Sequence, residues 1–343
     1  MKMRLKYLFI FVMTVTVLAI ALTGCSAAPE GDDTNYDIPD YDIPDYITIL
    51  GEQYSTELTV LRLISMGLTD EDIAPLKYMT NLTHLDLMGN SQVSDITPLS
   101  GLVGLTTLRL NNNSISDITP LAGLVNLTIL RLERNQINDI TPLAGLVNLT
   151  ILRLEHNQID DITPLAGLVN LTHLWLGYMW LGDSSRQIYD LTPLSGLVNL
   201  THLELGVSQI SDITPLSGLT NLTHLNLWFN RISDLTPLSG LVNLRHLDLG
   251  MNQINDISPL AELTNLDWLR LGWNQISDIK PLSGLTSLTN LNLSENRIRD
   301  ISPLAELTNL RWVALNGNPN PLSDWSPVEH VEYVRGRHPR NRL

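Results

Sequence analysis

The sequence predicts an α/β-type repeat solenoid, a curved horseshoe with a parallel β-sheet on its concave side and short 3-10 or irregular turns on its convex side. Three observations predict it. From about Leu58 to Asn318 the chain is a succession of near-copies of a 22-residue unit, typified by LTTLRLNNNSISDITPLAGLVN from Leu105. Seven apolar positions, Leu105, Leu108, Leu110, Ile115, Ile118, Leu121 and Leu124, recur in the next copy as Leu127, Leu130, Leu132, Ile137, Ile140, Leu143 and Leu146. One copy cannot bury these leucines alone, whereas stacked copies share a continuous core.

Each part of the unit has a local reason. The opening L-x-x-L-x-L gives a short strand with two inward leucines separated by one outward residue. Asn113 then leaves the strand; its amide can satisfy the backbone of a buried turn, and one such Asn per copy stacks into a ladder. In D-I-T-P-L, Thr119 suits an N-cap and Pro120 the first position of a helical turn. The aspartates of this motif, among them Asp117, Asp139, Asp161, Asp212, Asp234 and Asp256, are expected to cap local backbone. The pattern resembles the 22-residue class of leucine-rich repeat, and the internalin-type bacterial surface proteins most closely, over roughly three quarters of the chain. That resemblance implies adhesion or receptor binding. The consensus residues build the scaffold, so function has to be read where copies differ.

Taken in order, residues 1–24 read as a leader, with Lys2, Arg4 and Lys6 before an apolar run from Tyr7 to Leu22 that is short for a bilayer span. Leu22-Thr23-Gly24-Cys25 resembles the lipobox of bacterial lipoproteins, which implies lipid attachment at Cys25 and a membrane-anchored, extracytoplasmic protein. Cys25 is the only cysteine, so a disulfide within the chain is excluded. Residues 25–45 carry tandem YDIPD copies and read as an acidic, extended tether. Residues 46–81 hold an N-terminal cap, with a first strand expected within Ile47–Tyr54, and an irregular first repeat. Residues 82–318 hold the regular copies, giving twelve strands with the cap's own and a sheet on the order of 50 Å long. Residues 319–343 supply a C-terminal cap, with Trp325, Val328, Val331 and Tyr333 expected to close the last repeat, and a basic tail.

The chain has 343 residues and a formal charge of −15. The leader holds three of its 21 basic residues and no acid, which leaves 18 against 36 after maturation and argues against nucleic acid as a partner.

The outward strand positions differ between halves. Asp86, Arg109, Arg131 and Arg153 form one column in the first half, with Glu133, Arg134, Glu155 and His156 beside them, which reads as a solvated charged face. In the second half comparable positions carry Trp175, Tyr178, Trp228, Phe229, Met251, Trp268, Trp273 and Trp312. Leucine and isoleucine already fill the core, so an exposed aromatic patch points to binding. The copy from Leu171 has seven extra residues at about 177–187, including Tyr178 and Trp180, and it has lost its ladder Asn; the next copy has Ser208 there. Insertions in solenoids tend to lie on the binding face.

His173, His202, His224 and His246 form a further column. Two neighbours could share a metal but a third would not converge, so ligand contact or solvation is the reading, with a protonation effect on binding near pH 6. Candidate ligand-binding residues are therefore Trp175, Tyr178, Trp180, His202, His224, Trp228, Phe229, His246, Met251, Trp268, Trp273 and Trp312, with no metal and no cofactor. Catalytic signatures are missing from the sequence: no G-x-S-x-G, H-E-x-x-H or glycine-rich phosphate loop occurs, and His202 with Glu204 or His246 with Asp248 would stand open to water. The expected partner is a protein, or else a glycan, since tryptophan rings also stack on sugars; a passive envelope scaffold is the third reading.

Overall fold

The computed structural model describes residues 43–177, 188–319 and 324–336. Cys25, Tyr178, Trp180 and the basic tail beyond Gly336 lie outside these residues. The fold is the expected curved leucine-rich repeat solenoid. Its parallel sheet has 13 strands among the described residues, running in chain order from Val60–Arg62 to Tyr333–Arg335. The strand beyond the twelve expected is Tyr333–Arg335, which pairs with Trp312–Ala314 and places Tyr333 in register with Trp312. Tyr333 is consequently an exposed residue of the sheet rather than part of the closing core, which Val328 and Val331 supply with Trp325 packed against it.

At the N-terminal end the expected single strand is an antiparallel hairpin, β1 (Tyr46–Ile49) with β2 (Glu52–Ser55), separate from the large sheet. Its turn, Leu50-Gly51, has φ of 49° and 85°, the two positive values that match the twist of a tight hairpin. Ile47 and Ile49 turn inward and cover the open end of the core.

The consensus leucines and isoleucines are buried from Leu61 to Val331 in one continuous cluster. Three ladders hold the stack. Asn135 shows the first: its Oδ1 accepts from Ile115 N at 3.0 Å and its Nδ2 donates to Leu110 O and Leu132 O at 2.9 and 3.0 Å, tying its own copy to the one before. This ladder runs through Asn90, Asn113, Asn135 and Asn157, breaks over the copies from Leu171 and Leu200, and resumes at Asn230. The second and third come from the N-L-T triplet. Asn126 Nδ2 donates to Val103 O and Thr128 Oγ1 donates to Thr106 O, and both contacts recur copy after copy.

On the convex side the T-P-L segments form 3-10 turns. Thr119 is not the N-cap. Ile118 occupies that place and makes no side-chain cap, and Asp117 Oδ1 accepts from Thr119 N at 2.8 Å instead. A carboxylate two residues upstream reaches this N–H directly, so the aspartate performs the capping. Hydrogen bonds from the Thr119 hydroxyl and N–H hold the Asp117 carboxyl below its ordinary range.

Candidate binding face

Parallel register converts the repeat into columns. One runs His84, Thr107, Ile129, Ile151, His173, His202, His224, His246, Trp268, Asn290, Trp312 and Tyr333. The outward residue two positions later gives Asp86, Arg109, Arg131, Arg153, Trp175, Glu204, Asn226, Asp248, Arg270 and Asn292. Trp228 stands just past its strand, where other copies have Glu133, Glu155, Gly206, Gly250 and Gly272. Phe229, Met251 and Trp273 stand one residue further on. The aromatic set thus divides among four columns.

The histidines form a continuous stack, with centroid distances of 4.2, 4.1 and 4.3 Å and interplanar angles of 12°, 11° and 10°. The threonines fix their tautomer. Thr201 Oγ1 spends its one hydrogen on Thr172 O at 3.0 Å, so His202 Nδ1, 2.9 Å away, must be the donor to that oxygen. The same pairing holds for His173 and His224, and Asn290 Nδ2 donates in the same way to Thr289 Oγ1. Nε2 is left as an acceptor. Because the rings are nearly parallel, these lone pairs do not converge on one ion. His246 differs: Arg245 replaces the threonine, its Nδ1 is buried without a partner, and its Nε2 lies 3.4 Å from Asp267.

Burial first, and then the neighbouring imidazoles, push His202 down to about 4. Burial likewise lowers His173, and burial with the neighbouring His246 lowers His224. His173, His202 and His224 are neutral at pH 7, and titration of His202 moves well below the pH 6 expected from an unperturbed imidazole.

The charged half is not a solvated face. Asp86, Glu133 and Glu155 are buried, and arginines lie against them: Arg109 pairs with Asp86 at 3.3 Å, Arg131 with Glu133 and Arg153 with Glu155. Glu204 and Asp248 do not stand open to water either, since burial pushes both carboxyls up. Arginine over carboxylate over leucine is a layered surface, in which the outer layer covers the acid.

Two depressions mark the concave face. One, of about 440 Å³, is bounded by Trp228 and Trp268, with His224, His246, Asn226, Glu204, Asp248 and Arg270 around it. A second, of about 530 Å³, has Arg131, Arg153, Glu133, Glu155, His156 and Trp175 in its lining and shares Glu204 with the first. The structure therefore brings together Trp228, Trp268, His224 and His246 of the expected set. Trp175 belongs to the charged depression, under the Arg153 guanidinium at 4.9 Å. Trp312 lies two strands beyond Trp268, in a smaller hollow with Asn290 and Asn292. Gly177, at the start of the insertion, lines the charged depression rather than the aromatic one.

The column of Phe229, Met251 and Trp273 has a backbone peculiarity. Their φ values are 54°, 55° and 60°, in the left-handed region, as in the corresponding residues of other copies, Gly89, Asn112, Arg134, His156, Val207, Glu295 and Gly317. Phe229 and Trp273 are 42% and 58% exposed, so core packing does not account for large side chains at a strained position.

Sequence reasoning missed Arg270, which lies over Trp268 at 4.5 Å and pairs with Asp248 at 3.4 Å. It also missed the glycines. A Cβ on Gly250 would sit 3.1 Å from Trp228 Cδ1 and 3.2 Å from Asp248 Oδ1, so glycine there lets the indole lie down. The signal was legible: L-x-L is followed by Gly at 177, 206, 250 and 272, around the one copy that has Trp228.

These features define a leucine-rich repeat protein. Patterns described as leucine-rich repeats match residues 103–145, 147–185, 220–262 and 264–306, and a single-repeat pattern matches 78–96. An internalin, InlF, of Listeria monocytogenes is 32% identical, with 83% of this chain and 89% of that one covered and a TM-score of 0.71. The chain belongs to the internalin family of leucine-rich repeat proteins. Internalin C2 of the same organism is 42% identical over 57% of this chain and 84% of its own, with a TM-score of 0.53. The functional domain of InlJ, also from Listeria monocytogenes, shares the fold at 22% identity, covering 83% of this chain and 65% of that one, with a TM-score of 0.68. No match was found among curated proteins.

Proposed function

We propose that the protein is a non-enzymatic binding protein of the bacterial surface that holds a protein ligand on the aromatic half of its concave face. One observation carries this reading. Phe229 and Trp273, 42% and 58% exposed, put aromatic surface into water at a left-handed position that other copies fill with Gly89, Asn112, Arg134, His156, Val207, Glu295 or Gly317, so the repeat itself does not call for rings there. Trp228, whose ring lies 5.5 Å from that of Phe229, bounds one depression together with Trp268, and aromatic anchors at the centre of a contact surface are the usual source of binding energy.

Membership of the internalin family supports a surface role. The Leu22-Thr23-Gly24-Cys25 motif supports anchoring through two acyl chains on Cys25, with residues 26–45 as the tether and the segment at 177–187, including Tyr178 and Trp180, as an accessory contact.

The test is affinity capture from native surroundings with the full chain and with a Trp228→Ala, Trp268→Ala variant. A protein retained by the parent and lost by the variant is the expected result. Equal retention by both would refute the concave site. Retention of polysaccharide alone, lost with the tryptophans, would replace the protein ligand by a glycan.

A further inference from the structure

Four acids of the outward face are each answered by an arginine of the same chain: Asp86 by Arg109, Glu133 by Arg131, Glu155 by Arg153 and Asp248 by Arg270. Glu204 breaks the rule. Among the described residues no cation lies within ion-pair distance of it; Arg153, which acts on it from the neighbouring depression, is paired with Glu155, and the side-chain partner of Glu204 is the Asn226 amide. Asn226 Oδ1 already accepts from Trp228 N at 2.9 Å, so the amide presents its N–H side to Glu204. One such bond leaves most of the carboxylate's acceptor capacity unused.

Glu204 borders the depression that Trp228 and Trp268 bound, where two carboxylates face a single guanidinium, and that guanidinium, Arg270, is already engaged by Asp248. The histidines at the edge add no competing charge at neutral pH from His224, which burial and the neighbouring His246 hold in its neutral form. The depression itself and the charged one beside it show how such a surface is occupied. Arg270 lies over Trp268 with Asp248 at its end, and Arg153 lies over Trp175 with Glu155 at its end.

We propose that the depression between Trp228 and Trp268 receives an arginine side chain of the protein ligand, its guanidinium paired with the Glu204 carboxylate and its plane against the aromatic walls. Arginine suits the site better than lysine because a planar, weakly hydrated cation can stack on a ring and meet a carboxylate in the same pose. The partner surface is basic, which complements a chain of formal charge −15.

This inference rests on the protein-binding reading, and its test separates the two. The full chain is titrated, by calorimetry, with a nonapeptide of alternating glycine and arginine, with the same peptide carrying citrulline, which keeps the shape and removes the charge, and with chitohexaose. Titrations of Glu204→Gln and of Trp228→Ala, Trp268→Ala accompany the parent. Glu204→Gln preserves an acceptor for Asn226 and is checked for an unchanged melting curve. The expected result is saturable binding of the arginine peptide, weakened at least about tenfold by citrulline and by Glu204→Gln, and falling with added salt. Equal binding of the arginine and citrulline peptides, lost only in the tryptophan variant, would overturn the cation pairing and leave the peptide-binding face standing. Chitohexaose binding without peptide binding would overturn both. Absence of binding by either peptide would overturn the arginine site.

Discussion

Trp273→Gly should separate binding from folding. At φ 60° a non-glycine residue carries a left-handed penalty of about 1–2 kcal/mol. Glycine removes it but adds about 0.5–1 kcal/mol of unfolded-chain entropy. The net effect on folding lies between about zero and 1.5 kcal/mol of stabilisation, with little packing to subtract because the side chain is 58% exposed. A tryptophan that served the core would behave oppositely, losing about 3–5 kcal/mol on truncation. The two expectations differ in sign. Urea unfolding followed by far-ultraviolet circular dichroism reads the difference without relying on the fluorophore that was removed. Ligand retention, measured on the same preparation, should fall. A destabilisation above about 1 kcal/mol, or unchanged binding alongside increased stability, would refute the argument from strain.

The ladders, the histidine column and Cys25 each carry a further prediction. Asn135→Ala leaves the buried Ile115 N–H without a partner, while Leu110 O and Leu132 O keep the amides of Asn113 and Asn157, so the one unsatisfied group should cost about 1–3 kcal/mol; hydrogen exchange should accelerate first at Ile115 N, and a uniform or negligible change would count against the ladder. His202 has a folded pKa of about 4 against an ordinary 6.5, so between these values the unfolded state binds more protons and stability falls as pH drops. His202→Asn, which can donate to Thr201 as Asn290 donates to Thr289, should flatten that slope; the raised carboxyls of Glu155, Glu204 and Asp248, which favour the folded state as pH falls, contribute to both proteins and cancel in the difference. Parallel curves from pH 7 to 4.5 would contradict the buried neutral column. Cys25→Ser should abolish incorporation of a labelled fatty acid and release the protein from the membrane fraction, and retention of the label would place acylation elsewhere.

The scaffold was legible because each consensus position answers to one short-range constraint. Leu108, Asn113 and Asp117 each satisfy a local backbone or packing demand that repeats, so spacing alone discloses it. The division of roles inside D-I-T-P-L was less legible: Thr119 and Asp117 both suit capping, and only the turn's geometry decides that the carboxylate reaches the N–H. The site was half legible. Aromatic residues where leucine already filled the core announced a surface, yet four columns look alike when read as outward positions, and register is needed to put Trp228 with Trp268 and to send Trp175 to the arginines. Charge was misjudged for a related reason. Composition counts an arginine and a glutamate two residues apart as solvated neighbours, whereas a flat, crowded sheet lays the longer side chain over the shorter one and buries the acid.

That layering also explains why the change of character falls near Gly177. Up to the copy from Leu149, a ladder asparagine recurs in every regular copy and an acid covered by arginine in three of the four, those from Leu82, Leu127 and Leu149. Over the copies from Leu171 and Leu200 the ladder is interrupted, glycine replaces the residue after the strand, and Glu204 has no arginine paired with it among the described residues. Beyond them the ladder returns while the glycines persist, so Trp228 can lie across Gly250 on a scaffold that is again rigid. A face of this kind relinquishes its own covering cation and keeps the acid and the rings in place, and a ligand that supplies the missing guanidinium completes the same layer that the N-terminal copies build for themselves.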